Sequence, residues 1–387
     1  MKKSIIKTRL LFICFVIISL THISYSLSAK TYAMYENRAD RTLASADGPY
    51  VLYQKDGSTR IITVNPQGEL RDTTLKVLPN NYTLTVTSSK NRYTFQVPLH
   101  RIERPNWQYK RPKKVFVMSD PHGNMDYVVN LLQGNGVIDD KLNWCYGNNH
   151  LVIIGDIFDR GNDVTQLFWL VYKLEHEAAQ VGGVVSFLLG NHETLVLAND
   201  LRYCTEKYKI LADKLEVPYA QLYGKDSELG RWLATRNTIQ IIDKNLYVHA
   251  GLSKAFYDWN LTIPTINEGI SKALFMGKKE RKASSEMNAF LYGNSGPIWY
   301  RGLVRNKEKY NPISSNTLKR ILKRYGVKRL IIGHTIFSDI STFYNGKVID
   351  VNVNNAKNRK AGLGRGLLIE NRRYMVVGND GVKRRLE

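Results

Sequence analysis

The chain is short of cysteine, of acidic residues and of long apolar runs, and each shortage excludes something. Of three cysteines in 387 residues, Cys14 lies in an apolar stretch near the start, which leaves Cys145 and Cys204 for the folded part. Two thiols can pair or stay apart, and spacing alone does not decide which. Neither is followed six residues on by arginine, as the phosphate-cradling loop of a thiol-dependent phosphatase requires, so a cysteine nucleophile is disfavoured. The apolar run Leu10 to Leu20 has eleven residues, short of the roughly 20 that a spanning helix needs. Lys2, Lys3, Lys7 and Arg9 precede it, and Ser24-Tyr-Ser26 and Leu27-Ser-Ala29 follow with small residues before candidate cleavage points. Residues 1–29 therefore read as a secretory signal peptide rather than an anchor, and the mature protein is expected in the periplasm or secreted. Cys14, with bulky Ile13 before it, would leave with that leader.

Acidic residues number 34 against 56 Lys and Arg, a formal charge of +22, of which +18 remains once the four cations of residues 1 to 26 are removed. Such a field favours anionic partners, phosphorylated substrates and anionic surfaces alike. The runs Lys278 to Lys282, Lys319 to Arg324 and Lys357 to Arg365 read first as solvated faces, with anionic surface contacts as the alternative. No aromatic-interleaved basic motif accompanies them, so nucleic acid is not an expected partner. There is no internal repeat and no low-complexity tract.

What is present divides into two patterns. From Lys30 to Arg104 the period is two: Tyr82, Leu84 and Val86 alternate with threonines, Tyr93, Phe95 and Val97 resume after a polar turn, and Tyr50–Tyr53 faces Arg60–Val64 across Lys55-Asp56-Gly57. This predicts a small all-β accessory domain over residues 30–104. A basic, twice proline-interrupted stretch, 105–113, predicts a linker. Residues 114–387 then alternate strand and helix. Val115–Met118, Leu151–Ile154, Val184–Leu189, Leu246–Val248 and Arg329–Ile332 are short buried-strand runs, whereas residues 125–132 and 164–174 keep helical spacing. Ser338–Val353 predicts a closing strand pair around Asn345-Gly346, and Thr194–Arg236 a mostly helical insertion able to wall the site. The fold class is α/β, with polar groups gathered where strands give way to loops.

Five of those strand ends carry the informative residues. Asp120-Pro-His122-Gly, Gly155-Asp156-Ile-Phe-Asp159-Arg160-Gly161, Gly190-Asn191-His192-Glu193, His249-Ala-Gly251 and Gly333-His334-Thr335 occur in that order. One such motif is ordinary turn chemistry. Together, carboxylate, amide oxygen and imidazole form the donor set that holds a pair of divalent first-row metals, as in two-metal enzymes that hydrolyse phosphoesters.

These motifs resemble the calcineurin-like metallophosphoesterases, and within them the phosphoprotein phosphatase branch near the Shewanella-like protein phosphatases, across about Lys114 to Asn352. The resemblance implies a central β-sandwich flanked by helices. It also implies that Asp120 and His122 hold one metal, that Asp156 bridges, and that Asn191, His249 and His334 hold the second. His192 would protonate the leaving oxygen, oriented by Asp159. Arg160, and Arg301 in Gly296-Pro-Ile-Trp-Tyr-Arg301-Gly302, would grip the phosphoryl group, with Asn191 also facing the substrate. Glu193 would support the ligands from behind, and Trp144, Trp232 and Trp299 read as packing residues. Asn352 stands where many relatives have glycine, so the backbone there is expected to differ.

The expectation is a phosphomonoesterase, most simply a protein phosphatase, in which a metal-bridging hydroxide attacks phosphorus in line without a phosphoenzyme. Two divalent ions, manganese, iron or zinc, would be its cofactors, and the substrate a phosphorylated protein or a small phosphoester. A nucleotide or phosphodiester hydrolase of the same fold is the alternative, though Asp159 stands where the dinucleoside-polyphosphate branch typically has asparagine. A non-catalytic module that binds anionic polymers is the more distant one.

Overall fold

In the computed structural model, residues 42–353, 357–358 and 363–386 are described, so the leader read at 1–29 lies outside the described residues. The chain opens with three antiparallel strands, β1 (Asp47–Tyr53), β2 (Thr59–Val64) and β3 (Leu70–Leu75), and a hairpin of β4 (Thr83–Thr87) and β5 (Thr94–Pro98). Both hairpins stand where alternation predicts them.

Two six-stranded sheets form the centre. One runs β17-β16-β15-β7-β8-β9, built on the parallel strands β7 (Lys114–Ser119), β8 (His150–Ile154) and β9 (Val184–Leu188), with β15 (Arg365–Glu370), β16 (Arg373–Gly378) and β17 (Lys383–Arg385) added antiparallel at its edge. The other runs β13-β14-β12-β11-β10-β6: β6 (Gln108–Tyr109), β10 (Ile239–Ile242), β11 (Asn245–Val248), β12 (Arg329–Ile332), β13 (Ser341–Phe343) and β14 (Val348–Asp350). Successive side chains of a strand point to opposite faces, so each strand serves two cores. Val115, Val117, Val152 and Ile154 meet Tyr247, Ile331 and Ile349 in the layer between the sheets. Phe116, Met118, Leu151 and Ile153 belong instead to the larger core shared with the helices.

Helices cover the outer faces: α1 (Met125–Gly134) follows β7 and α2 (Val164–Gln180) follows β8. Short helices α3 (Asn191–Val196), α4 (Glu206–Lys214) and α5 (Glu228–Ala234) make up the helical insertion, and α6 (Lys254–Trp259), α7 (Ile263–Ala273), α8 (Lys278–Ser284), α9 (Glu286–Leu291) and α10 (Ser315–Arg324) lie between β11 and β12. None of the described helices is long and apolar enough to cross a membrane.

The stretch read as a linker contributes β6, which pairs parallel with β10 at the sheet's edge, where nearby prolines cost no central ladder bond. The amino-terminal strands are packed onto the rest. Trp169 on α2 donates its indole N–H to Pro49 O at 2.8 Å, Thr165 and Tyr50 meet at 3.1 Å, and Gln166 donates to Thr87 O at 3.1 Å. This explains why α2 is buried on nearly all sides: β9 lies against one face and β1 and β5 against the other. Both remaining cysteines are free, Cys145 exposed and Cys204 buried.

Trp169→Ala removes a fully buried ring at that seam and is expected to cost about 3–5 kcal/mol of stability. A urea titration followed by circular dichroism measures it; a loss under about 1 kcal/mol would mean the amino-terminal strands contribute little to the common core.

Candidate active site

The parallel strands β7, β8, β9, β11 and β12 all end at one edge of the sandwich, and the five motifs begin there. Six residues in these turns lie in the left-handed region: Asp120, His122, Asp156, Asp159, Arg160 and His334, at φ of 51°, 46°, 57°, 71°, 67° and 65°. Each costs roughly 1–2 kcal/mol for a residue with a Cβ, and such strain persists only where surroundings hold it. Two glycines permit the crowding. A Cβ on Gly190 would stand 2.2 Å from Asp156 Oδ1, and one on Gly333 would stand 2.6 Å from Asp120 Oδ2.

Asp156 is at the centre. Its Oδ1 accepts the His192 N–H at 3.0 Å, and its Oδ2 lies 3.2 Å from His249 Nε2 and 3.9 Å from both His122 Nε2 and His192 Nε2. His122 and His249 turn these nitrogens inward because their Nδ1 atoms donate to backbone carbonyls, Phe158 O at 2.8 Å and Ile154 O at 3.0 Å. Asn191 Oδ1 stands 2.9 Å from His249 Nε2 and His334 Nδ1 3.2 Å from it, while His334 N–H donates to Asp120 Oδ2 at 3.1 Å. All six expected ligands are thus buried in one pocket.

Their arrangement fits divalent cations. With Nδ1 donating, His249 Nε2 carries no proton when neutral and one when charged, yet Asp156, Asn191 and His334 all crowd it. His334 Nε2 is buried with no hydrogen-bond partner. A cation between these atoms would resolve both conflicts, which is how buried polar groups without partners are commonly explained. Among the described residues, two sets bring potential ligand atoms within 4.8 Å of one another: His122, Asp156 and His192, and Asp156, His249 and His334. Asp156 belongs to both. The first set contains His192 where the resemblance implied Asp120, whose Oδ2 takes the His334 N–H.

Burial, opposed in part by His249, raises the Asp120 carboxyl to about 6, and burial lowers His122 to about 3. Burial also opposes charge on His249, but the Asp156 carboxylate outweighs it and lifts His249 to about 9.

His192 Nδ1 and Asp159 Oδ2 are 2.5 Å apart, so the imidazole is clamped with Nε2 facing Asp156. Burial disfavours its charge, yet Asp156 and Asp159 together hold it above the usual histidine range. Arg160 is exposed at the mouth, its N–H bonded to Tyr203 O at 3.0 Å. Arg301 is half-buried and anchored by Nη1 to Thr335 Oγ1 at 3.1 Å and to His334 O at 3.3 Å. A cleft of about 510 Å³ opens beside His122 and Arg160 and is walled partly by Ser45, Ser89 and Lys90 of the amino-terminal strands.

Two contributions exceed what the sequence conveyed. Glu193 accepts four backbone N–H groups, those of Asp156, Ile157, Phe158 and Gly190, at 2.8 to 3.2 Å. Tyr203, in the helical insertion, is 45% exposed with its ring 5.2 Å from His192 and beneath Arg160 at 5.8 Å. An isolated aromatic in a polar loop carries no periodic signal that would have revealed it. Trp299 packs edge-on against His334 at 5.8 Å, in keeping with a packing role. Asn352 is not among the described residues with positive φ; its N–H bonds Asp350 Oδ1 at 2.9 Å, so no glycine is needed there.

Known proteins share this arrangement of chain. Residues 113–336 match the calcineurin-like phosphoesterase family. The crystal structure of a cold-active protein-tyrosine phosphatase from a psychrophilic Shewanella species is similar at 32% identity and a TM-score of 0.78, covering 88% of this chain and 99% of that one. Shewanella-like protein phosphatase 2 of Arabidopsis thaliana is 25% identical over 312 residues, 69% of this chain and 78% of that protein. An uncharacterized protein of Schizosaccharomyces pombe is 30% identical over 237 residues, 58% of this chain and 68% of its own length.

Glu193→Ala leaves four buried N–H groups without their acceptor, at about 1–3 kcal/mol for each one that no water reaches. The expected result is a loss of at least about 3 kcal/mol in chemical denaturation together with weakened metal retention on gel filtration. Unchanged stability would show that the Asp156–Phe158 turn holds its strained form unaided.

Proposed function

The chain belongs to the calcineurin-like phosphoesterase family, and from that membership we propose that it is a protein phosphatase that uses two divalent metals and prefers phosphotyrosine. The observation that carries the metal reading is the Asp156 carboxylate, whose Oδ2 faces both His122 Nε2 and His249 Nε2. Asp120 and His122 would hold one cation, Asn191, His249 and His334 the other, with Asp156 between them and His192 alongside the first. When bound, the two cations would supply a water acidic enough to act as a nucleophile near neutral pH and positive charge for the phosphoryl oxygens.

The remaining steps belong to side chains of this protein. Arg160 and Arg301 present planar donor forks suited to two phosphoryl oxygens each, one exposed at the mouth and one held by Thr335. As the bond from phosphorus to the leaving oxygen breaks, that oxygen takes a proton from His192 Nε2. Asp159 holds the opposite ring nitrogen at 2.5 Å, which keeps Nε2 aimed at the site and stabilises the ring while it is charged. The apolar leader at 1–29 would direct this activity out of the cytoplasm.

Phosphotyrosine is favoured by two observations. The similar Shewanella protein is a protein-tyrosine phosphatase. In this chain Tyr203 offers an exposed ring beside both His192 and Arg160, where a substrate aryl group attached to a gripped phosphate would lie against it.

His192→Asn is expected to lower kcat by about 10²–10⁴-fold on alkyl phosphates, whose leaving oxygen needs the proton, and by much less on p-nitrophenyl phosphate, which does not. Equal losses on both would sink the acid role. The substrate reading is tested by kcat/KM for matched phosphotyrosine, phosphoserine and phosphothreonine peptides and a nucleoside monophosphate, with manganese and with chelator. The chelated enzyme should be inactive and recover with metal. Tyr203→Ala should lower phosphotyrosine turnover by roughly three- to tenfold, the scale of one aromatic pair, and leave phosphothreonine nearly unchanged. Preference for the nucleotide would instead favour a small-molecule phosphoesterase.

A further inference from the structure

The end of the sandwich opposite the motif turns gathers positive charge from separate parts of the sequence. Strand register defines this end: Lys114↔Glu370, Ile242↔Tyr109, Asn245↔Arg329 and Leu330↔Val348 are the pairs nearest it. The connections that turn there bring up Lys244 between β10 and β11, Lys328 before β12, Lys347 before β14 and Arg372 between β15 and β16. The short link from β6 to β7 adds Lys110, Arg111 and Lys113. All seven are exposed. Backbone contacts hold several together, Lys328 N–H donating to Lys244 O at 2.7 Å and Leu330 N–H to Lys347 O at 2.9 Å. On these same connections the single acidic side chain is Asp243, half-buried; Glu370, at the adjoining strand end, is paired with Lys114 at 3.4 Å.

We propose that this cationic pole docks the enzyme on an anionic lipid surface, leaving the phosphatase mouth directed away from it. Charge complementarity is the argument. Like charges gathered on adjacent turns repel one another, and a dense sheet of anions relieves that repulsion at every turn simultaneously. The cations are spread over the tips of five turns instead of lining a groove with stacking aromatics, which suits a broad charged plane better than a nucleic-acid strand. Lysines and arginines near an anionic bilayer each strengthen attachment, and the effect decays within a Debye length, so the attachment should be salt-sensitive. Of the three cationic runs visible in the sequence, Lys278 to Lys282 lies on α8, Lys319 to Arg324 ends α10 just before the Lys328 turn, and Lys357 to Arg365 falls partly outside the described residues.

The test is vesicle sedimentation of the full chain on phosphatidylcholine alone and on phosphatidylcholine mixed with phosphatidylglycerol, at low and high salt. The leader carries Lys2, Lys3, Lys7 and Arg9 and so adds lipid- and salt-dependent binding of its own, but it is the same in both variants below and cancels in their comparison. The expected result is binding that requires phosphatidylglycerol, falls with salt, and weakens by about fivefold for each cation removed in a Lys244→Gln, Lys328→Gln, Lys347→Gln, Arg372→Gln variant. A control that removes the same charge elsewhere, Lys272→Gln, Lys278→Gln, Lys279→Gln, Lys282→Gln, should bind nearly as the unmodified protein does. Both variants should hydrolyse p-nitrophenyl phosphate normally, which separates this outcome from misfolding and from failure of the phosphatase reading. Equal loss in both variants would reduce the effect to net charge and overturn the pole. Binding to heparin or duplex DNA but not to vesicles would overturn the lipid assignment.

Discussion

A carboxylate buried among imidazoles is the condition on which the rest of this structure depends. Asp156 is 2% exposed, and one of its oxygens faces ring nitrogens from three other motifs. Burying that charge is costly unless positive charge compensates it, and His249, His192 and His122 outweigh the burial and hold the Asp156 carboxyl well below the usual carboxylate range. Two features keep the cluster in place. Glu193 binds the backbone of the Asp156 turn from behind, and the carbonyls of Ile154 and Phe158 fix two imidazoles so that they cannot rotate to friendlier partners.

The sandwich explains how such an unfavourable cluster can persist. Left-handed backbone at six positions and a buried carboxylate pair, Asp156 and Glu193, work against folding locally. They are offset by the strands that lead into them, whose every residue from Val115 to Ser119 and from His150 to Ile154 is buried. Parallel strands buried on both faces give rigid, well-packed bases, and the loops that follow inherit their positions. The same reasoning accounts for α2. Packed between β9 and the amino-terminal strands, it anchors the turn at Asp163 that closes the Asp159-Arg160-Gly161 loop, and Asp163 in turn accepts the Ser89 N–H at 2.5 Å from the β4–β5 turn.

How far the fold was legible follows from the range of the forces involved. Strands such as Arg329–Ile332 were readable because apolar run, polar stop and turn residue are all local. The clustering of the six expected ligands was readable for a different reason: metal chemistry restricts the side-chain types to look for, and strand ends restrict their places. Tyr203 was not readable, because its significance comes from lying beside His192 and Arg160 in space. The docking of β1–β5 onto α2 was hidden for the same reason. Trp169 and Pro49 are each unremarkable in sequence, and only their 2.8 Å contact joins the two parts. β6 was concealed by its prolines, which rule out a central strand and say nothing against an edge.

The cationic pole extends this last point to electrostatics. Runs such as Lys278 to Lys282 are conspicuous in sequence, but there Arg281 is buried against the carbonyls of Ala273 and Thr194 and Glu280 offsets a further charge. Lys244, Lys328, Lys347 and Arg372 are scattered over more than a hundred residues, and strand pairing within the two sheets brings their turns to one end of the sandwich. A field is set by spatial density, so the scattered residues outweigh the conspicuous ones. Parallel strands impose the polarity as well. Their carboxyl ends carry the five motif turns, so any charge placed on the opposite turns stands the full length of a strand away from the clustered Asp and His side chains and from Arg160 and Arg301. The architecture that gathers carboxylates and imidazoles at one end thus leaves the other end free to accumulate positive charge without disturbing that cluster.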